Sequence, residues 1–135
     1  MTSATPADTE ALLAALRKAM PTATLDRIPK HPERRDLILA TISTGLERRY
    51  PYTEPELKEA LEDALRKVRA SVDHVTCRRY LVDCGFLKRD RAGSRYYLNY
   101  LKLAETLSED TQSAVDELVA QALRTSRRQP LQRKR

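Results

Sequence analysis

The sequence predicts a mostly α-helical fold with one small β-hairpin, a winged helix-turn-helix-like domain flanked by N- and C-terminal helices. Three observations lead there. Residues 71–99, SVDHVTCRRYLVDCGFLKRDRAGSRYYLN, read as a helix, a glycine stop and a tight two-stranded hairpin. Ahead of them, Thr53-Glu54-Pro55-Glu56 is a capping box, in which Thr53 caps the helix start and Glu56 returns the bond. Before that, Tyr50-Pro51-Tyr52 is extended, because a residue preceding proline avoids the helical region. With a helix upstream, the order becomes helix, short extended piece, helix, helix, hairpin, which is the winged-helix order.

Each element has its own local reason. Thr5-Pro6-Ala7-Asp8 suggests a first helix with Thr5 as N-cap and Pro6 at its first position, and Leu12, Leu13, Leu16 and Met20 as one apolar stripe. Pro21 to Pro32 holds three prolines and no period, so it is expected to be a linker. A second helix is expected from about Glu33 to Arg48, with Leu37, Ile38, Ile42 and Leu46 inward. The capping box opens a third, carrying Leu57, Leu61, Leu65 and Val68. Ser71 is the expected N-cap of the next helix, Val72 to Cys84, and Gly85 supplies a left-handed stop. Strands at Phe86–Arg89 and Arg95–Leu98 enclose the turn Asp90-Arg91-Ala92-Gly93-Ser94. Tyr100, Leu101, Ala104 and Leu107 continue as helix, and Ser108-Glu109-Asp110 begins another, with Val115, Leu118, Val119, Ala122 and Leu123 as its apolar face. The resulting division is residues 1–26 (helix and linker), 27–99 (winged-helix-like domain), 100–123 (C-terminal helical region) and 124–135 (a basic, disordered tail).

Bulk properties narrow the class. At 135 residues with 41% hydrophobic content, the chain can build one modest core. It has no apolar run of about 18 residues, so no membrane span is expected. The first twenty residues lack a signal peptide's charged start, so a cytoplasmic location is expected. Cys77 and Cys84, seven apart on one helix, are too far apart to bridge and read as buried thiols. Net charge is −1 over residues 1–26, +5 over 27–99, −4 over 100–123 and +6 from Arg124 onward. The body is therefore neutral, with a basic middle and a cationic tail.

From Arg34 onward a set of pieces stands out: Arg34-Arg35, Tyr52-Thr53-Glu54 with Glu56, Asp73, Arg78-Arg79, Leu81-Val82-Asp83, Gly85, Leu87, Arg89-Asp90, and Gly93-Ser94 with Tyr96. In these pieces the chain resembles a bacterial family known as domain of unknown function 2087. The pieces span roughly half the chain, and Cys77 stands where the family usually has leucine. The family occurs alone and in bacterial transcription regulators, so the resemblance implies a regulatory role without implying an activity.

No enzyme is expected. His31 and His74 are the only histidines, no nucleophile elbow is present, and three glycines form no phosphate loop. His74, Cys77 and Cys84 do not supply four closely spaced ligands, so neither metal nor cofactor is expected. The leading expectation is double-stranded DNA binding. Candidate contacts are Arg78 and Arg79 on the helix after the turn, Lys88, Arg89, Arg91 and Arg95 on the hairpin, and Arg127, Arg128, Arg133, Lys134 and Arg135 in the tail. Against it, Asp73 and Asp83 neutralise the helix, Arg79 can pair with Asp83, and Arg78 can equally be a structural residue at the core's edge. A protein–protein adaptor is the main alternative, followed by RNA or ribosome association. The apolar faces of residues 11–20 and 114–123 also suggest a homodimer contact.

Overall fold

A computed structural model describes residues 5–133, with side chains described through Arg124. Helices α1 (Thr9–Ala19), α2 (Pro32–Ser43), α3 (Glu54–Lys67) and α4 (His74–Asp83) precede the hairpin β1 (Leu87–Arg89) and β2 (Tyr96–Leu98). Helices α5 (Tyr100–Thr106), α6 (Glu109–Ser113) and α7 (Val115–Arg133) follow it. The chain is thus mostly helical with one small antiparallel hairpin, as the sequence predicts. No helix among the described residues is long and apolar enough to cross a membrane.

Helix α2 is the centre. Ile38, Leu39, Ala40, Thr41, Ile42 and Ser43 are all buried in succession, so its C-terminal half has no solvent face. Such a helix must satisfy its own hydroxyls. Thr41 Oγ1 donates to Leu37 O and Ser43 Oγ to Leu39 O, each at 2.8 Å. Around it pack α1, α3 and α5, while α1 also packs on α7 and α3 on α4. One continuous core runs from Leu12 to Ala122. Leu12, Leu16 and Met20 of the first helical region, and Val115, Leu118, Val119 and Ala122 of α7, are buried within this single chain. The apolar surplus that suggested a homodimer is therefore used internally.

Several boundaries differ from the sequence reading. Helix α1 is capped not by Thr5 but by Asp8, whose Oδ1 accepts from Ala11 N at 2.9 Å. Ala7 is drawn away into a parallel bridge with Leu107, its N–H donating to Thr106 O. The expected linker of residues 21–32 is instead packed. Ala23, Leu25 and Ile28 are buried, and Leu25 is bridged to Ala70 through Leu25 N to Arg69 O (3.2 Å) and Ser71 N to Leu25 O (3.0 Å).

The same bridge occupies the backbone at Ser71, so α4 begins later, with Asp73 as N-cap accepting from Thr76 N at 2.7 Å. Helix α2 stops at Ser43 rather than near Arg48, because the following turn buries Leu46 and Glu47 N donates to the Tyr52 hydroxyl. Leu37 is only partly buried, while Leu39 is fully so. On α5, Leu103 is the buried residue, and Leu101 remains 68% exposed. The helical backbone of α7 continues to Arg133, beyond the Leu123 limit expected for the C-terminal helical region. Adding residues to a helix already begun costs far less than starting one.

Other local signals operate as read. Thr53 and Glu56 form both halves of the capping box. Leu57, Leu61, Leu65 and Val68 are buried. Ser108 caps α6. Cys77 and Cys84 are unbridged; Cys77 is buried, which pushes its thiol up to about 12, whereas Cys84, also expected to be buried, is only partly so. Gly85 adopts φ +90, and a Cβ built there would meet nothing within 4 Å. Gly85→Ala should therefore destabilise purely through the left-handed backbone, by about 1–2 kcal/mol. Denaturant midpoints would check this, and an unchanged midpoint would show that the α4–β1 joint tolerates a different backbone path.

Candidate nucleic-acid interface

The hairpin pairs Leu87 with Leu98, Lys88 with Tyr97 and Arg89 with Tyr96. Directly opposite residues share a face, so the buried Leu87, Leu98 and Tyr96 anchor one side, while the Lys88 pair lies on the other. Tyr52 docks alongside, exchanging 2.9 Å backbone hydrogen bonds with Tyr96 in both directions. This fixes the hairpin against the start of α3.

At the tip, Asp90 organises the turn. Its Oδ1 accepts from Ser94 N (2.9 Å) and Arg95 N (3.2 Å), while Gly93 adopts φ +76. Partial desolvation pushes the Asp90 carboxyl up, but the N–H groups of Arg95, Ser94 and Gly93 outweigh it and hold the group below its usual range.

The hairpin and α4 cations fall into two sets. Arg89 Nη2 donates to Gly93 O at 3.2 Å, and its guanidinium lies 5.1 Å from the Tyr96 ring centroid. Arg78 lies 5.7 Å from the same centroid, and its Nη1 pairs with Glu54 Oε2 at 3.2 Å. Arg95 Nη1 donates to Ser94 O at 3.3 Å, and its charge helps lower Glu56, which is depressed mainly by the Thr53 N–H and then by the Tyr50 hydroxyl. Arg79, Lys88 and Arg91 are different. All three are exposed, and among the described residues none makes an ion pair, hydrogen bond or ring contact through its side chain. The Arg79–Asp83 pairing considered from the i, i+4 spacing does not form.

Val75, Arg79 and Asp83 follow one another at i, i+4 along the solvent side of α4, with Val75 44% exposed. Helix α3, which precedes α4, carries five acids against three bases. The side chains of Arg127, Arg128 and Arg133, and Lys134 and Arg135 altogether, lie outside the described residues. Sequence reasoning missed Glu54 and Tyr96 as the groups that hold Arg78. Glu54 is 24 residues from Arg78, and no local pattern joins them. It also missed Arg48, stacked 3.6 Å from the Tyr100 ring centroid.

The N-cap at Asp73 carries a pH dependence. Its carboxyl is lowered chiefly by the Thr76 N–H. A folded-state value below the unfolded one means stability that is present above the unfolded pKa and lost as pH falls through the folded one. Thermal melts from pH 7 to about 3 should therefore show Tm falling below the ordinary aspartate value of about 3.9, and falling less steeply in Asp73→Ala. Parallel acid losses in the two proteins would remove Asp73 from the account.

No curated protein and no solved structure matches the chain. One family model does, that of the uncharacterized protein conserved in bacteria (DUF2087), over residues 24–98. That span covers the packed 24–28 segment, α2, α3, α4 and the hairpin through Leu98, more than half of the molecule. The chain therefore belongs to this bacterial family, whose shared region coincides with the body that presents Arg79, Lys88 and Arg91.

Proposed function

We propose that residues 27–99 act as a winged helix that binds duplex DNA, with α4 and the β1–β2 hairpin toward the nucleic acid, in the service of cytoplasmic transcription regulation. One observation carries the reading. Arg79, Lys88 and Arg91 are exposed and have no side-chain partner among the described residues, while Arg78, Arg89 and Arg95 beside them each bond a protein group. Cations without internal partners are available to phosphates, and the hairpin, held by its strand pairing and by Tyr52, sets the spacing of Lys88 and Arg91. Arg127, Arg128, Arg133, Lys134 and Arg135 would add sequence-independent attraction.

The test is fluorescence anisotropy with random duplex DNA at about 50 and 200 mM salt. Binding that weakens steeply between the two supports the proposal, and none at the lower salt overturns it. A second reading, a protein-binding adaptor, is favoured by the acidic α3 and by Val75 exposed on α4. It would take over if duplex DNA does not bind.

A further inference from the structure

The Arg34-Arg35 pair of the sequence has no part in that interface, and the fold treats its two members differently. Arg35 is tied to Asp36, Nε to Oδ1 at 3.0 Å. Arg34 is half-buried and has no carboxylate partner among the described residues. It lines a surface hollow of about 350 Å³ between the end of α1, the packed 21–29 segment and the start of α2, together with Lys18 and Arg27. Neither of these is ion-paired among the described residues either. We infer that this hollow binds a small phosphate-bearing anion through Lys18, Arg27 and Arg34.

Three arguments support the assignment. The first is charge. Among the described residues, the only acid lining the hollow is Asp26, whose Oδ1 already accepts from Thr24 Oγ1 at 3.0 Å and Ser71 Oγ at 3.4 Å. Arg34 is half-buried without a carboxylate partner among the described residues, and a bound anion would supply the counter-charge. Lys18 and Arg34 also line an adjoining hollow with His31 and Glu33, so the two cations sit together at the junction of both.

The second is rigidity. Arg27 lies between the buried Leu25 and Ile28, and Leu25 is held by backbone bonds to Arg69 and Ser71. Its backbone is therefore fixed before any ligand arrives, which lowers part of the ordering cost of binding.

The third is ligand shape. Two planar guanidinium forks and an ammonium can together satisfy the several acceptor oxygens of a phosphate, which a single carboxylate cannot engage fully. The volume suits a phosphate with a small substituent.

The experiment is isothermal titration of the full chain with inorganic pyrophosphate at about 50 mM salt, where exposed charges are only partly screened. Saturable one-to-one binding is expected, with Arg34→Gln and Lys18→Gln each weakening it by about tenfold or more. Lys88→Gln, on the hairpin, should leave it unchanged. Because Arg34 is half-buried, Arg27→Gln serves as the exposed second variant, and circular-dichroism melts verify that each protein is folded. Lack of saturable binding by the folded wild type overturns the proposal. So does equal weakening by Lys88→Gln, or displacement of pyrophosphate by duplex DNA, which would assign the hollow to nucleic-acid phosphates. The inference does not rest on DNA binding: pyrophosphate can bind a protein that ignores duplex DNA, and the reverse also holds.

Discussion

Phe86→Ala is expected to lower the unfolding free energy by about 3–5 kcal/mol, the largest effect of any single change considered. The ring is completely buried and follows Gly85, at the joint where α4 turns into the hairpin. Phe86 N donates to Leu81 O and Phe86 O accepts from Asn99 N, both at 2.8 Å, and Asn99 Nδ2 donates to Gly85 O at 2.8 Å. Those bonds belong to the backbone and to Asn99, so the substitution leaves them in place. What it removes is the ring, its contacts across the core and the Lys102 ammonium 5.4 Å from its centroid. A domain of this size has a total stability of about 5–15 kcal/mol, so about a fifth of it or more is at stake. Urea unfolding measures the loss directly. Leu101→Ala is the control: that side chain is 68% exposed, and its removal should matter by no more than about 0.5 kcal/mol. A Phe86→Ala loss of less than about 1.5 kcal/mol would mean that the joint collapses around the cavity, and that α4 and the hairpin are not held by this ring.

The second large effect concerns the hairpin cations Lys88 and Arg91. If Lys88 and Arg91 each neutralise one phosphate, the double variant Lys88→Ala/Arg91→Ala should flatten the slope of log K against log salt by about two units. At about 0.1 M salt, the same change corresponds to roughly 30–100-fold weaker binding. Among the described residues neither side chain makes an ion pair, hydrogen bond or ring contact, so the melting temperature should stay near that of the wild type. Arg78→Ala separates the roles. It strands Glu54 and uncovers Tyr96, so it should lower stability more than it changes the salt slope. An unchanged slope in the double variant would remove the hairpin from the interface even if DNA binding itself is measured.

Signals that act within about four residues could be read from the sequence. The Thr53–Glu56 capping box, the Gly85 stop, the Asp90–Ser94 turn with Gly93 and the Ser108 cap all form where their residue types place them. In each, donor and acceptor are neighbours in the chain, so the choice is made before the core exists. The apolar stripe of α3 was equally legible, because 3.6-residue periodicity is a local property.

Long-range pairing decided the rest. Thr5 and Ser71 are acceptable caps, yet α1 and α4 start later because Ala7 bridges Leu107 and Leu25 bridges Ala70. The same Leu25 bridge turns a proline-rich segment with no period of its own into a packed strap. The cations show the limit most clearly. Composition counts Arg78 and Arg79, or Arg34 and Arg35, as equals, but Glu54 and Asp36 hold one of each pair and leave the other free of an ion pair among the described residues. A formal charge is fixed by residue type, whereas its availability to a ligand depends on which carboxylate and ring the folded chain brings within a few ångströms.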